Sequence, residues 1–330
     1  MRLGLLAGMG QDWRESLAKV KIAEDLGYEL VATGEAWGPS SIPWLSILAT
    51  NTTKIGIGTS ILNCFSRTPA ALAQEFSMID QLSGGRAMLG LGSSGAFVIE
   101  HFHGVPFDRP LRRLREYVEI FNILIAGEKL DYDGEIFKMS RGFQLNYDRP
   151  RNHIPVFIAA ITPKSIRQTG EIADGILPIH WPQSRFAELR EQLAEGARAA
   201  GRDPSAITIA PQTNLFITDG ANDEAQWRAA RQPLHHYINR MGVFYYQMLE
   251  RTGFEREVES SREAWANRDL EGAINAISDD MVRAIQVIGP IESAREQLQE
   301  RSAAGADIQL LYMPPGDVQA VGKRLEALIR

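Results

Sequence analysis

Residues 54–69 of the chain read KIGIGTSILNCFSRTP. Ile55 and Ile57 alternate with two glycines, a pattern that fits a strand whose neighbours pack closely on both faces. Polar side chains follow the strand at once, at Ser60, Asn63, Ser66 and Arg67. Because parallel α/β folds bind ligands beyond the carboxyl ends of their strands, this stretch predicts a buried strand that leads into a binding loop.

The rest of the chain alternates short apolar runs with amphipathic stretches of helical period, which is typical of βα units. Strands are predicted near residues 3–7, 30–34, 55–60, 87–91, 156–160, 175–179, 208–217 and 308–313. Helices are predicted near residues 12–26, 43–51, 69–82, 111–126, 163–173, 185–200, 223–241 and 291–304. Eight such units indicate an α/β fold, a (β/α)8 TIM barrel formed by a single domain of residues 1–330.

Two regions interrupt this alternation and are interpreted as insertions. Residues 128–152 contain a hairpin pattern around Asp133 and Gly134, placed before the fifth strand. Residues 242–285 have the pattern of short extra helices before the eighth strand. This second insertion includes an aromatic run from Phe244 to Tyr246, which fits a core, a dimer surface or the wall of a substrate site.

Composition and charge narrow the possible functions. The 330 residues are 44% hydrophobic, and 35 basic against 41 acidic side chains give a net charge of −6, so a nucleic-acid partner is not expected. The one cysteine, Cys64, excludes an internal disulfide and fits a cytoplasmic protein. The apolar start of the chain is too short to span a membrane and is interpreted as the first strand.

No pattern in the sequence predicts a metal site or a hydrolytic nucleophile. His101 and His103 flank Phe102, and His235 adjoins His236, so neither pair has the spacing of a zinc site. The chain also lacks a Gly-x-Ser-x-Gly motif. A glycine-rich rim with aromatic side chains and few acid–base groups instead favours a cofactor that carries out the chemistry itself.

Candidate ligand-binding residues follow the second and third predicted strands. Glu35 and Trp37 suit a planar aromatic ligand, although Glu35 would equally suit a helix cap or a pair with an arginine. Ser60, Ile61, Asn63 and Arg67 follow the third strand, where hydroxyl and amide groups suit the edge of a heterocycle, and a plain polar turn is the alternative. These residues are predicted to share one edge of the sheet because parallel strands end together.

Three further strand ends carry candidates. Gly92, Ser93, Ser94 and Gly95 leave backbone N–H groups accessible. Gly90, Gly92 and Gly95 match the dinucleotide motif Gly-x-Gly-x-x-Gly only weakly, because they follow the fourth strand and no acidic residue stands at the next strand end. A helix start that suits an anion, or is merely capped, lies at Ala160, Ile161, Thr162 and Lys164. The sixth strand leads to the aromatic pair His180 and Trp181.

The chain resembles the bacterial-luciferase-like superfamily, within it the branch of deazaflavin-dependent oxidoreductases that includes methylenetetrahydromethanopterin reductase. The likeness covers nearly the whole chain. It rests on residues 23–28 (AEDLGY), 34–38 (GEAWG), 54–69, 80–87 (DQLSGGRA), 104–110 (GVPFDRP), 170–175 (GEIADG) and 199–204 (AAGRDP). The resemblance implies a (β/α)8 barrel, usually dimeric, that binds flavin or coenzyme F420 at the carboxyl face of its strands.

The resemblance also implies roles for individual residues. The Ser60–Ile61 bond aligns with a non-prolyl cis peptide that supports the back of the ring. Glu35 and Trp37 would line the ring. Residues 92–95 would pass near the cofactor tail, and residues 160–164 would help hold its phosphate.

The sequence departs from its relatives at three positions. Leu6 stands at a position where the methanopterin reductases that the chain resembles carry glutamate. Ala36 stands where the sugar-phosphate dehydrogenases of the same branch carry histidine. Thr162 replaces a usual glycine before Pro163 and Lys164. The resemblance therefore does not assign either of these reactions to the chain.

These observations predict an oxidoreductase that transfers a hydride between C5 of coenzyme F420 and a small organic substrate, acting as a homodimer or larger homo-oligomer. Glu35, Trp37 and His180 are the predicted catalytic residues. The predicted cofactor-binding residues are Glu35, Ser60, Ile61, Asn63, Gly92, Ser93, Ser94, Gly95, Ala160, Ile161, Thr162 and Lys164. The alternatives are an FMN-dependent monooxygenase that uses reduced flavin and oxygen, and a barrel that binds a ligand without catalysis.

Overall fold

The computed structural model describes residues 1–330. The strands are β1 Leu3–Leu6, β2 Leu30–Thr33, β3 Gly56–Thr59, β4 Leu62–Asn63, β5 Ala87–Gly92, β6 Leu130–Asp133, β7 Lys138–Phe143, β8 Val156–Ile158, β9 Gly175–Ile176, β10 Thr208–Ile209, β11 Gln212–Thr213, β12 Leu215–Ile217, β13 Val287–Gly289 and β14 Gln309–Tyr312. The helices are α1 Trp13–Leu26, α2 Ser41–Asn51, α3 Pro69–Ser83, α4 Ala96–His101, α5 Pro110–Ala126, α6 Pro163–Ile172, α7 Phe186–Ala199, α8 Asp223–Arg240, α9 Val243–Arg251, α10 Glu255–Ala266, α11 Leu270–Asn275, α12 Asp279–Ile285, α13 Ile291–Ala303 and α14 Val318–Ile329.

A curled parallel sheet forms the centre of the fold. Its strand order is β10, β9, β8, β5, β3, β2, β1, β14, β11, and β4 pairs with β5 beside this path. β10 pairs with β9, and β11 pairs with β14 at the other edge. Because β10 and β11 are separated only by Ala210 and Pro211, the two edges of the sheet meet in one stretch of chain. The fold is therefore α/β and TIM-barrel-like, as the alternating pattern predicts.

The prediction of one strand over residues 208–217 is wrong. Pro211 has no N–H to donate to a neighbouring strand, and it separates β10 from β11. The segment after Asn214 leaves the central sheet. Its strand β12 pairs in parallel with β13 in a separate two-stranded sheet. The sequence pattern did not predict β13, because residues 287–289 follow directly on the short helices.

Several elements surround the central sheet. β6 and β7 form an antiparallel hairpin, and α9 to α12 occupy residues 243–285. The short helix α4, which ends at His101, was not among the predicted helices. The last helix, α14, was also missed, although Asp317 caps it and Val321, Leu325 and Leu328 recur at helical spacing on its buried face.

Local signals at the helix ends explain where the helices begin and stop. The side chain of Asp12 accepts a hydrogen bond at the start of α1, and Gly27 ends that helix with φ 91°. Thr68 and Gly84 do the same for α3, with φ 68° at the glycine. The buried faces of these helices join one connected core of 65 residues that extends from Leu3 to Leu328.

The hairpin is attached to α5 by Glu116, whose side chain is fully buried. Its carboxylate accepts hydrogen bonds from the backbone N–H groups of Glu135, Ile136 and Phe137, at 2.8, 3.0 and 2.9 Å. Burial raises the pKa of Glu116, but these donors outweigh burial and the pKa lies below its ordinary value. An ionised carboxylate therefore fixes the turn between β6 and β7.

Replacing Glu116 by alanine is expected to loosen the hairpin without unfolding the barrel. The substitution leaves three backbone N–H groups without an acceptor, and each such group costs about 1–3 kcal/mol if it stays buried. We expect the amides of residues 135–137 to exchange with deuterium at least about tenfold faster. Glu128→Ala, at an exposed position after α5, is the control. Equal exchange rates in the two variants would contradict the assignment.

Candidate active site

Backbone hydrogen bonds join the end of β2 to the segment between β3 and β4. The Ser60 N–H donates to Thr33 at 2.8 Å, and the Glu35 N–H donates to Ile61 at 3.1 Å. The Ser60–Ile61 peptide bond is cis, as the resemblance implies. We refer to Ser60 and Ile61, which lie between β3 and β4, as the bulge.

Two glycines make room for the bulge. A Cβ on Gly34 would lie 2.9 Å from the carbonyl oxygen of Ser60, and a Cβ on Gly92 would lie 2.7 Å from Cδ1 of Ile61. A side chain at position 34 would collide with the backbone of the bulge, and one at position 92 would displace the end of the Ile61 side chain. Gly34, which follows β2, and Gly92, which ends β5, therefore leave space for the bulge.

Two residues that the sequence analysis missed connect the bulge to the far side of the sheet. Nε2 of Gln212, in β11, donates to Oγ of Ser60 at 2.9 Å. Oε1 of Gln212 accepts from the hydroxyl of Tyr312, in β14, at 3.1 Å. The polar Gln212 inside one predicted strand, and Tyr312 near the end of another, were the available signal in the sequence.

Glu35 is held by Arg67. The guanidinium donates to both carboxylate oxygens, at 2.6 and 3.1 Å, and the N–H of Ser41 donates to one of them at 2.8 Å. Burial raises the pKa of Glu35, but these hydrogen bonds outweigh burial and the pKa lies below its ordinary value. Glu35 is therefore ionised at neutral pH, which disfavours a role as a proton donor. Its catalytic role stays a prediction.

Arg67 also fixes the loop that carries Trp37. Besides Glu35, it pairs with Glu75 in α3 at 2.9 Å and donates to the Ser40 hydroxyl at 3.3 Å. Trp37 is 59% exposed, so its indole stands free at the rim. The charged network below the loop is thus satisfied within the protein, and the indole is the group that remains available to a ligand.

The side chain of Asn63 forms hydrogen bonds within the turn after β4. Its side-chain oxygen accepts from the N–H groups of Phe65 and Ser66, at 2.9 and 2.8 Å, and its side-chain nitrogen lies 3.4 Å from Nε2 of His103. The residue is buried. These contacts use the side-chain oxygen to form the turn after β4, as in the polar-turn alternative, and the predicted contact from Asn63 to a cofactor stays a prediction.

The segment after β5 is open. Ser94 has φ 58°, and Ser94 and Gly95 are exposed at the start of α4, with no atom within 4 Å of a Cβ on Gly95. Ser93 donates only to the neighbouring Ser94 carbonyl, at 3.2 Å. Phe97, in the same helix, is 74% exposed. This segment leaves backbone groups free beside an apolar ring.

The start of α6 combines a capped helix with exposed cations. The Thr162 hydroxyl accepts from the Ser165 N–H at 3.2 Å, and the Ser165 hydroxyl accepts from the Thr162 N–H at 3.0 Å. Lys164 is exposed in the first turn, and Arg251 donates to the carbonyl of Ile161 at 3.5 Å. Ala160, in contrast, is buried. Positive charge at a helix N-terminus suits an anion.

His180 is buried at the end of the sixth barrel strand. Its neighbour Ile179 pairs with Gln212, and its own backbone has φ 53°. The imidazole meets the ring of Tyr237 edge to face, 4.4 Å between centroids, and its Nε2 has no hydrogen-bond partner. Burial, together with His236, lowers the pKa of His180 to about 3. The ring is therefore neutral at physiological pH.

Comparison with known proteins identifies the family. Residues 1–307 match the family described as luciferase-like monooxygenase. The chain belongs to the luciferase-like monooxygenase family. It is 30% identical, over 349 residues, to a Mycobacterium tuberculosis protein provisionally named a coenzyme F420-dependent oxidoreductase, and the match covers 100% of this chain and 99% of the relative.

One further sequence relative and one solved structure are similar to this luciferase-like chain. It is 30% identical over 317 residues to 5,10-methylenetetrahydromethanopterin reductase of Archaeoglobus fulgidus, with 93% of each chain covered. The solved structure of the coenzyme F420-dependent tetrahydromethanopterin reductase of Methanopyrus kandleri superposes with a TM-score of 0.82. That alignment has 24% identity and covers 100% of this chain and 97% of the other. At this identity the likeness establishes the fold.

Other features of the luciferase-like barrel offer less to a ligand. A hollow of about 320 Å³ is lined by Arg115, Glu171, Asp174 and Arg202, but these side chains pair with one another. No group of three or more His, Cys, Asp or Glu side chains is placed to hold a metal ion. No helix has the length and hydropathy needed to cross a membrane. The strand ends around the bulge remain the best candidate site.

Proposed function

We propose that the chain is an oxidoreductase that uses coenzyme F420 to transfer a hydride to or from a small organic substrate. The observation that carries the proposal is the end-to-end match to a relative named for this coenzyme. The A. fulgidus reductase, a second relative at 30% identity, supports a hydride-transfer reaction over an oxygenation. When bound, the deazaflavin would supply the reactive C5.

The residues at the site fit such a cofactor. A deazaflavin has a flat ring and a tail that carries phosphate. The bulge and the exposed indole of Trp37 offer surfaces to the ring, and residues 92–95 offer free backbone groups to the tail. Lys164 and Arg251 lie at the start of α6, where a phosphate would be favoured. Glu35 would act through Arg67 to position the loop of Trp37.

Titration of the purified protein with F420 and with FMN tests the proposal. We expect F420 to bind at least about tenfold more tightly than FMN, as measured by quenching of cofactor fluorescence. Lys164→Ala should weaken F420 binding by about two- to fivefold, because an exposed charge pair contributes less than about 1 kcal/mol. Lys21→Ala, exposed on α1, is the matched control and should leave the affinity unchanged.

The same titration decides between this proposal and its alternatives. The family description favours a monooxygenase that takes reduced FMN and oxygen, and FMN binding at least as tight as F420 binding would support that function. Binding of neither cofactor would support a barrel without catalysis. The expected homodimer stays a prediction, which light scattering on the purified protein measures directly.

A further inference from the structure

Four side chains form a group of rings beside the bulge, which we call the ring cluster: His180, Tyr237, Tyr245 and Tyr312. The centroids of His180 and Tyr237 lie 4.4 Å apart, and those of Tyr237 and Tyr245 lie 4.7 Å apart, both in edge-to-face geometry. Tyr312 approaches from β14 and is linked through Gln212 to Ser60. The ring cluster therefore stands between the strand ends and the helices α8 and α9.

Several polar atoms of the ring cluster have no partner in the protein. Nε2 of His180 is buried without a hydrogen bond. The hydroxyls of Tyr237 and Tyr245 make no hydrogen bond within the protein, as is also true of Tyr246 outside the ring cluster, whereas the other five tyrosines do: Tyr28, Tyr117, Tyr132, Tyr147 and Tyr312. Both tyrosine rings are only partly buried, so their hydroxyls are open to solvent or to a ligand. One buried nitrogen without a partner and two accessible hydroxyls therefore lie together, where a ligand atom is able to bond with them.

The ring cluster is also uncharged. Arg262 stacks on the adjacent Tyr246, 3.9 Å from its centroid, but the four cluster side chains form neither an ion pair nor a cation–π contact. Burial lowers the pKa of His180 to about 3, and burial raises the pKa of Tyr237 and of Tyr245. All four side chains are neutral at pH 7. A charged group placed among them would lose water without gaining a counter-charge.

We propose that the ring cluster is the substrate subsite and that it takes neutral, planar molecules with a conjugated carbonyl group. Flat rings pack against the edges and faces of His180, Tyr237 and Tyr245. The two free phenol hydroxyls donate to the carbonyl oxygen. Phosphate esters are excluded because the subsite lacks a cation. This inference rests on the proposed function for the site of hydride transfer, and it adds the substrate class.

Coumarin, a neutral planar lactone, is a suitable probe, and glucose 6-phosphate is the charged comparison. Ligand-observed NMR titrations on the full chain, with and without F420, measure the affinity for each of these two compounds. We expect coumarin to bind and glucose 6-phosphate to bind at least about tenfold more weakly. Binding of coumarin only in the absence of F420 would place it on the cofactor surface and overturn the subsite.

Replacing tyrosine by phenylalanine removes the hydroxyl and keeps the ring, so it measures the contribution of the hydroxyl alone. Tyr237→Phe and Tyr245→Phe should each weaken coumarin binding about two- to tenfold, the range expected for one hydrogen bond. Tyr246→Phe, the neighbouring tyrosine outside the ring cluster, should change it less than about twofold. All three variants should bind F420 as the unsubstituted protein does, because the rings that pack in the fold are retained.

The outcomes distinguish this inference from the proposed function. A protein that binds F420 but not coumarin, or binds glucose 6-phosphate as tightly as coumarin, overturns the subsite and leaves the proposed function standing. Unchanged coumarin binding in both Tyr237→Phe and Tyr245→Phe also overturns it. A protein that binds coumarin with these sensitivities but does not bind F420 overturns the proposed function instead.

Discussion

Replacing Gly90 by alanine is expected to lower the free energy of unfolding by at least about 3 kcal/mol. Gly90 lies in β5, beside Thr59 at the end of β3. A Cβ at position 90 would lie 1.8 Å from the carbonyl oxygen of Thr59 and 2.7 Å from its carbonyl carbon. Because these are backbone atoms, no side-chain rotation relieves the collision, and one of the two strands has to move.

The collision falls where β3 leads into the bulge. The Thr59 hydroxyl accepts from the N–H of Gly90 at 2.9 Å and donates to its carbonyl oxygen at 2.8 Å. Moving either strand breaks both hydrogen bonds in a fully buried position, as Thr59 has no exposed surface. Displacement of Thr59 also shifts Ser60. We therefore expect F420 binding to weaken together with stability.

Denaturant and thermal unfolding measure the effect on stability, with Gly38→Ala as the matched control. Gly38 lies on the exposed loop after β2, and a Cβ there meets no atom within 4 Å. Its φ is outside the left-handed region, so alanine fits without strain. The control should change stability by less than about 0.5 kcal/mol. Gly90→Ala with the same unfolding midpoint as Gly38→Ala would contradict the packing that we describe.

The barrel was predictable because each βα unit carries its own signal. Glycines at helix ends such as Gly27 and Gly84, the helix caps Asp12 and Thr68, and the short apolar runs between them are all local in sequence. The pairing of the strands followed from the regularity of the pattern. Where a unit departed from the pattern, around Pro211, the prediction failed because β12 pairs with residues about seventy positions away.

The candidate site was only partly predictable. The sequence indicated which strand ends carry polar groups, and the contacts of those residues with a cofactor stay predictions. It did not indicate which of those groups are already used within the protein. Arg67 neutralises Glu35 across 32 positions of sequence, and Gln212 reaches Ser60 across 152 positions. Such partners depend on tertiary packing, which no local pattern encodes.

Acid is expected to destabilise the protein through His180. Burial, with His236 as a smaller cause, lowers the pKa of this imidazole from 6.5 to about 3 in the folded chain. In the unfolded chain the imidazole protonates below about pH 6.5. Between these two values the unfolded state binds one proton more, so stability falls as pH falls. From pH 8 to pH 5 we expect a loss of about 2 kcal/mol from His180 alone.

Urea unfolding at pH 8, 7, 6 and 5 measures this loss, and His180→Asn identifies its source. Asparagine tolerates the left-handed backbone at this position, where φ is 53°. The variant should lose about 2 kcal/mol less than the unsubstituted protein between pH 8 and pH 5. His101→Asn, an exposed histidine at the end of α4, should keep the original pH dependence.

Burial also lowers the pKa of His235 and of His236, so some pH dependence should persist in His180→Asn. If His180→Asn and the unsubstituted protein lose stability in parallel over this range, the imidazole is not held neutral in the folded state.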